Sequence, residues 1–173
     1  MKSFHEGKLE LDFQQNLQVI QYDRSNFFRN NVEKLQGTKA VDFLALSRDD
    51  LFIIEITDFR GHGVECREKI RKGDLVVEVA HKVRDTISGL CGAYRSGNFE
   101  LESFSTGLFL KDGPSVTFIL ILEEDRHPAP SKSFKQMRSN LNLAIARQLK
   151  FLNIRCCVHS RKDLPSHFGW SVA

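Results

Sequence analysis

Val116 to Leu122 reads VTFILIL, an uninterrupted apolar run rich in β-branched residues. A strand with one wet face alternates apolar and polar side chains. A continuous run fits a central strand covered on both faces instead. The rest of the chain therefore has to supply layers that pack against such a strand. Val76, Val79, Val83, Ile87 and Leu90 recur at steps of three and four, which predicts a helix over Leu75 to Tyr94. Gly97 and Asn98 punctuate it, and Leu101, Phe104 and Leu108 keep helical spacing in a second, shorter segment. Phe134, Met137, Leu141, Ile145, Leu149 and Leu152 predict a long amphipathic helix, followed by a last strand over Ile154 to His159.

Upstream, Leu9, Leu11 and Phe13 alternate as in a strand, and Leu17 to Tyr22 suggests another. Ser25 is placed to cap a short helix through Leu35, with Gly37 ending it. The stretch AVDFLALSRDDLFIIEIT, Ala40 to Thr57, reads as two apolar strands joined by a polar turn at Ser47 to Asp50. Arg60 to Asp74 is polar and glycine-bearing and reads as a loop. Asp112-Gly113-Pro114 is a turn, and Pro128 and Pro130 mark a surface loop. Strands alternating with helices imply an α/β or α+β sandwich on a mixed sheet, opened by an antiparallel hairpin and continued through helical crossovers.

Composition narrows the functional classes. A chain of 173 residues suits a single domain, and 41% hydrophobic with 27% charged residues suits a soluble globular one. Phe is present 14 times against one Trp and two Tyr, so the aromatics read as core packing. A net charge of +3 is too weak by itself to imply a nucleic-acid partner. Cys66, Cys91, Cys156 and Cys157 lack CxxC spacing, and adjacent strand residues point to opposite faces. Neither zinc nor a structural disulfide is favoured, and a reduced, cytoplasmic setting is the expectation. MKSFHEGKLELDF lacks the apolar core of a signal peptide. No apolar run approaches the ~20 residues of a membrane span.

The hairpin holds the main chemical anomaly. With the turn at Ser47 to Asp50, Leu46 pairs with Leu51, and counting outward brings Asp42 opposite Glu55. Alternation puts Asp42, Leu44 and Leu46 on one face with Leu51, Ile53, Glu55 and Thr57. Directly opposed residues have Cβ atoms about 4.5–5.5 Å apart, where like charges repel, more so when buried. The pair can share a proton, be neutralised by a nearby Lys or Arg, or be bridged by a divalent cation such as Mg²⁺ or Mn²⁺. A one-residue slip of register, or an acid reaching solvent at a sheet edge, would dissolve the anomaly.

An Asp on one strand, an acid-x-Lys on the next, then a helix and a buried strand, is the pattern of the PD-(D/E)XK nucleases. Lys39 to Asp125 resembles that superfamily, whose fold is the restriction-endonuclease-like one. Asp42 falls at the motif Asp, with Val41 where the family often has Pro. Glu55 falls at the acidic position, and Thr57 at the place of the lysine. HKVRDTISGL, His81 to Leu90, is similar to the helix that follows the motif in bacterial members. The resemblance implies a single α/β domain of this fold, with a mixed central sheet flanked by helices. It implies Asp42, Glu55 and the backbone carbonyl of Ile56 as ligands to Mg²⁺ or Mn²⁺, with DNA or RNA as partner. The family lysine positions the attacking water and adds positive charge beside the transition state. Thr57 has a hydroxyl and no charge, and losing one preorganised donor costs on the order of 10²–10³ in rate. Lys82, beside the Val79/Val83 stripe of the predicted helix, can lean back to the sheet and replace that charge. The alternative is a degraded nuclease-fold module binding nucleic acid, a protein partner or a second copy without cleavage. An interaction or immunity-type module would need only the scaffold.

Other residues carry weaker indications. Asp58 points away from the Glu55 face, and Arg60 does the same. His62, between two glycines, is a candidate base or phosphate contact. Arg67, Lys69, Arg71 and Lys72 form a basic stretch diluted by Glu65 and Glu68. Arg126, His127, Lys132, Lys135 and Arg138 form a second one. Gly61 and Gly63 lack the spacing and lysine of a phosphate-binding loop, and no Gly-x-Ser-x-Gly elbow is present.

Overall fold

The computed structural model describes residues 1–124 and 132–173, with side chains from Lys135 onward in the second segment. It is a mixed α/β arrangement with two sheets. The larger sheet has the order β3-β4-β5-β6-β7. Its strands are β3 (Gln18–Gln21), β4 (Phe43–Leu46), β5 (Asp50–Asp58), β6 (Ser115–Glu123) and β7 (Arg155–His159). β3, β4 and β5 pair antiparallel, whereas β5, β6 and β7 run parallel. Helices α1 (Gly63–Lys72), α2 (Asp74–Ser96) and α3 (Glu102–Phe109) connect β5 to β6. α4 (Lys132–Gln148) connects β6 to β7.

β6 is covered on both faces, as its sequence implies, but it is the fourth strand of the five, between β5 and the edge strand β7, and is buried from Thr117 to Glu123. Phe118, Leu120 and Leu122 face the helices, packing with Val79, Val83, Leu141 and Ile145. Ile119 and Ile121 face the other way, onto Leu9, Leu11, Phe13 and Trp170. That second cover is a small sheet of order β1-β2-β8, built from β1 (Lys2–Glu6), β2 (Leu9–Phe13) and β8 (Trp170–Val172). Only β2 was expected from the sequence. Phe13 stacks on Trp170 with ring centres 5.5 Å apart, which ties the two chain ends together over the main sheet.

Four expectations need correction. Arg60 to Asp74 is not a loop, since it contains α1. Cys66 and Ile70 are its residues that meet the core. It is closed by Gly73 in the left-handed conformation at φ +81°, a position that favours glycine. The segment after Ser25 is not a regular helix. A 3-10 turn over Tyr22–Arg24 leads into a short π-helical turn over Phe28–Val32, with the Ser25 hydroxyl oxygen accepting the Phe28 N–H. The helix predicted to reach Leu152 stops at Gln148, and a separate 3-10 turn, Lys150–Leu152, carries Leu152 back to the core. The hairpin register is as counted, Leu46 opposite Leu51, but the ladder closes at Phe43 opposite Ile54, so Asp42 lies just before β4. Pro128, Pro130, Arg126 and His127 lie outside the described residues. Among the described residues no helix is long and apolar enough to cross a membrane. All four cysteines are free thiols.

Candidate functional site

Asp42 is held at the mouth of the hairpin by three bonds. Its N–H donates to the Ile54 carbonyl at 3.1 Å, and its own carbonyl accepts the Tyr22 N–H at 2.8 Å. Its side-chain Oδ2 accepts the Ile56 N–H at 2.7 Å, standing in for the backbone acceptor that β4 no longer supplies. Glu55, one residue back along β5, points into the helix layer and is 3% exposed, against 9% for Asp42. In an extended strand a residue's N–H and C=O face the same edge. The Ile56 carbonyl therefore emerges on the side where Asp42 sits.

The cation comes from α2. Lys82 Nζ lies 2.6 Å from Glu55 Oε1, a charge-assisted hydrogen bond at short range. Helical periodicity places Lys82 one step from the buried Val79 and Val83, so its stem runs along the core while its ammonium reaches the sheet. Two side chains fix that height. The Thr86 hydroxyl accepts the Val41 N–H at 3.2 Å, and Asp85 Oδ2 accepts the Lys39 N–H at 3.1 Å. α2 is thus fastened to the segment that enters Asp42. Thr57 does not reach the acids as a charge. It lines, half-buried, a cavity of about 240 Å³ shared with Glu55, Lys82, Lys69 and Glu78.

Two acids face one lysine, and the proton affinities show the imbalance. Burial pushes the Asp42 carboxyl up to about 7, against the opposing pull of Lys82 and the Ile56 N–H. Burial, then repulsion from Asp42, holds Glu55 well above the usual carboxylate range, with Lys82 again opposing. Burial would lower the Lys82 ammonium, yet Glu55 and Asp42 outweigh it, so its affinity is raised. Glu55 Oε2 is buried with no hydrogen-bond partner among the described residues. Two more acids bear on the site without any sign in the sequence. Asp23, after β3, and Glu6, at the end of β1, both raise Asp42. Asp23 is itself raised, first by burial and then by Glu6.

The remaining candidates scatter. Asp58 is taken by Arg60 through two side-chain hydrogen bonds of 2.8 and 2.7 Å and one from the backbone N–H at 3.0 Å, and its carboxyl lies below the usual range, first through the side-chain contact. His62 is exposed, 3.8 Å from Glu65. Lys72 pairs with Glu68 on α1, while Lys69 sits over the Phe59 ring and within 3.9 Å of Glu78.

Asp42 and Glu55 supply hard carboxylate oxygens, one of them orphaned, and the Ile56 carbonyl faces the same side. This donor set fits Mg²⁺ or Mn²⁺, which complete their shells with water. Among the described residues no group of three or more His, Cys, Asp or Glu side chains could hold a metal, so a cation here would lean on that carbonyl and on water. Comparison with protein-family models, curated proteins and solved structures finds no match for the chain.

Proposed function

We propose that the chain is a metal-dependent nuclease-like protein of the PD-(D/E)XK type, acting on nucleic acid phosphodiesters, with its catalytic cation moved from the strand to α2. The observation that carries this reading is the 2.6 Å contact between Lys82 Nζ and Glu55, beside a Thr57 that stands at the motif lysine position. The mixed sheet, with an antiparallel hairpin leading into parallel strands, agrees with a restriction-endonuclease-like arrangement.

Asp42, Glu55 and the Ile56 carbonyl would hold Mg²⁺ or Mn²⁺. When bound, the ion supplies Lewis acidity toward a phosphoryl oxygen and lowers the pKa of its water. The chain's own groups do the rest. The Ile56 N–H fixes the Asp42 carboxylate through one of its oxygens. Lys82 contributes a full positive charge beside the place where phosphate charge develops, where a preorganised donor is worth about 10²–10³ in rate. Leu75 and Val79 supply the apolar part of the cavity wall. The Thr57 hydroxyl can orient a water or a phosphate oxygen but adds no charge. That lack of charge favours the second reading, a nuclease-fold module that binds nucleic acid or a protein without cutting.

The test pairs Mn²⁺ calorimetry with cleavage of plasmid DNA and single-stranded RNA. Wild type is expected to bind Mn²⁺ and cleave. Asp42→Asn should weaken the metal site, and Lys82→Met should keep metal binding while cleavage falls by about two orders of magnitude. Metal binding without cleavage in the wild type selects the second reading, and no metal binding by the folded protein sinks both metal roles.

A further inference from the structure

The net charge of +3 hides a strong polarity along the chain. Up to Asp125, 16 Lys and Arg stand against 21 Asp and Glu. In the 48 residues after it, nine stand against one, Asp163, so the two parts carry formal charges of −5 and +8. The basic part forms one edge of the fold. α4 packs on β7, the edge strand of the main sheet, and neither they nor the 3-10 turn between them holds an acid. Asp163, beyond β7, is taken by Arg138 at 2.6 Å. Helical geometry turns Met137, Leu141 and Ile145 toward the core and leaves Lys135, Leu143 and Arg147 on the opposite half of α4, where all three are exposed. Lys150 and Phe151 continue that face into the turn, three and four residues past Arg147, and Arg155 opens β7. All three are exposed, Phe151 to 71%. Lys39, Lys69, Lys72 and Lys82 each lie against a glutamate, whereas Lys135, Arg147, Lys150 and Arg155 have no acid partner among the described residues.

We propose that this edge binds single-stranded nucleic acid, with Lys135, Arg147, Lys150 and Arg155 on the phosphates and the Phe151 ring under a base. An acid-free row of cations, about 18 Å long from Lys135 to Arg147 along the helix, suits a polyanion rather than a single charge. Phosphate oxygens accept from such cations whatever the base sequence. The exposed ring among them selects the ligand further. An unpaired base has a free face to stack on it, which the bases inside a duplex lack. An anionic bilayer fits less well, because a membrane-surface helix sinks a broad apolar face into lipid. That face of α4 is already in the core, leaving Leu143 and Phe151 outside. The proposal deepens the nuclease reading, and rests on it for the link to a phosphodiester substrate, by giving that substrate a second contact surface. It shares no residue with the carboxylate site and needs no metal.

The experiment is fluorescence anisotropy of labelled oligothymidylate and oligouridylate of about 20 nucleotides with the full chain, in chelator so that nothing is cleaved, across about 50–300 mM salt. Wild type is expected to bind with a Kd between about 10⁻⁶ and 10⁻⁴ M. The logarithm of affinity should fall with that of salt at a slope near about −3, roughly 0.7 for each of four phosphate contacts. Arg147→Gln/Lys150→Gln should make the slope shallower by about 1.4 and weaken binding at the lowest salt at least about tenfold. Phe151→Ala should weaken binding at least about fivefold with the slope unchanged, since stacking releases no ions. Should alanine loosen the turn, Phe151→Leu keeps apolar bulk without the ring and is expected to act in the same direction. Lys2→Gln/Lys8→Gln removes the same charge from the small sheet and should leave affinity and slope where they were. Binding without cleavage once Mg²⁺ replaces the chelator retires the catalytic reading and keeps this surface, whereas cleavage with unchanged binding in the edge variants does the reverse. No binding, a slope near zero, an equal loss from Lys2→Gln/Lys8→Gln, or tighter binding to a duplex, polyglutamate or phosphatidylserine vesicles overturns the proposal.

Discussion

Asp42→Asn is expected to flatten the dependence of stability on pH between about 4 and 8. In the folded chain the Asp42 carboxyl is pushed from an ordinary 3.8 to about 7 by burial. Between those values the folded protein holds a proton that the unfolded chain has released, so stability falls as pH rises and levels off above about 7. Each pKa unit of separation is worth about 1.4 kcal/mol, which puts the contribution of Asp42 near 4 kcal/mol. For a domain of this size 1 kcal/mol moves Tm by about 2–4 °C, and the step from pH 5 to the folded value of about 7 is worth about 3 kcal/mol, so wild type at pH 5 should melt about 5–10 °C above wild type at pH 8. Glu55, shifted the same way, adds to the slope, and losing the neighbouring Asp42 charge also relaxes Glu55. Lys82 stays out of this window, because its raised affinity contributes until pH climbs past its ordinary 10.5. His159 works in the opposite sense below 6.5, since its affinity is lowered, and Asp58 and Asp163 act only below 3.8. The readout is therefore the difference between wild type and variant, measured by thermal melts at half-unit pH steps in the presence of chelator. Asparagine keeps an oxygen for the Ile56 N–H, so the fold should hold. A difference curve that stays flat from pH 4 to 8 would refute the claim that Asp42 carries a proton when buried without metal. Added Mn²⁺ supplies a second check. At pH 8 it should raise the Tm of wild type and leave the variant where it was.

Two further outcomes test the geometry. Thr57→Lys is expected to increase metal-dependent cleavage, and placed on Lys82→Met it should restore at least about tenfold of what that variant lost. Position 57 shares the Glu55 face and cavity, one strand repeat of about 6.8 Å away, and gel assays of plasmid cleavage would report it. Gly89→Ala should destabilise the domain by about 1–3 kcal/mol, because the added methyl collides with the buried Tyr22 hydroxyl. Urea melts should show recovery when Tyr22→Phe removes that hydroxyl, which has no hydrogen-bond partner among the described residues.

The hairpin register, the stripe of α2 and the doubly covered β6 were legible because each rests on a local period of side chains. What was not legible follows from interactions without such a period. In α1 Cys66 and Ile70 meet the core, while Glu65 and Glu68 sit four residues before Lys69 and Lys72, so its sequence reads as polar. β8 spans three residues and pairs with β2 from the far end of the chain. No local pattern announces a strand whose partner lies so distant. At the site, counting brought Asp42 close to Glu55, although the ladder ends at Phe43 opposite Ile54 and does not pair the two acids, and Lys82 followed from helical spacing beside Val79 and Val83. Asp23 and Glu6 reach the site through the packing of the small sheet and the turn after β3, which no spacing encodes.

Lys82 meets Glu55 from a helix and not from the strand itself, which decides what holds the pair together. A lysine at position 57 would share a rigid backbone with Glu55, and the distance between them would be set by one strand repeat. Lys82 instead belongs to α2, whose height over the sheet is set by packing and by the Thr86 and Asp85 bonds to the Lys39–Val41 segment. That segment runs straight into Asp42. The element that brings the charge is therefore fastened to the element that brings the first carboxylate. With one lysine facing two buried acids, both carboxyls hold their protons above the usual range, and one Glu55 oxygen has no hydrogen-bond partner among the described residues. A fold that needed the pair only for stability would do as well or better with apolar residues of similar size there. Under the proposed reading, the missing positive charge arrives with the metal.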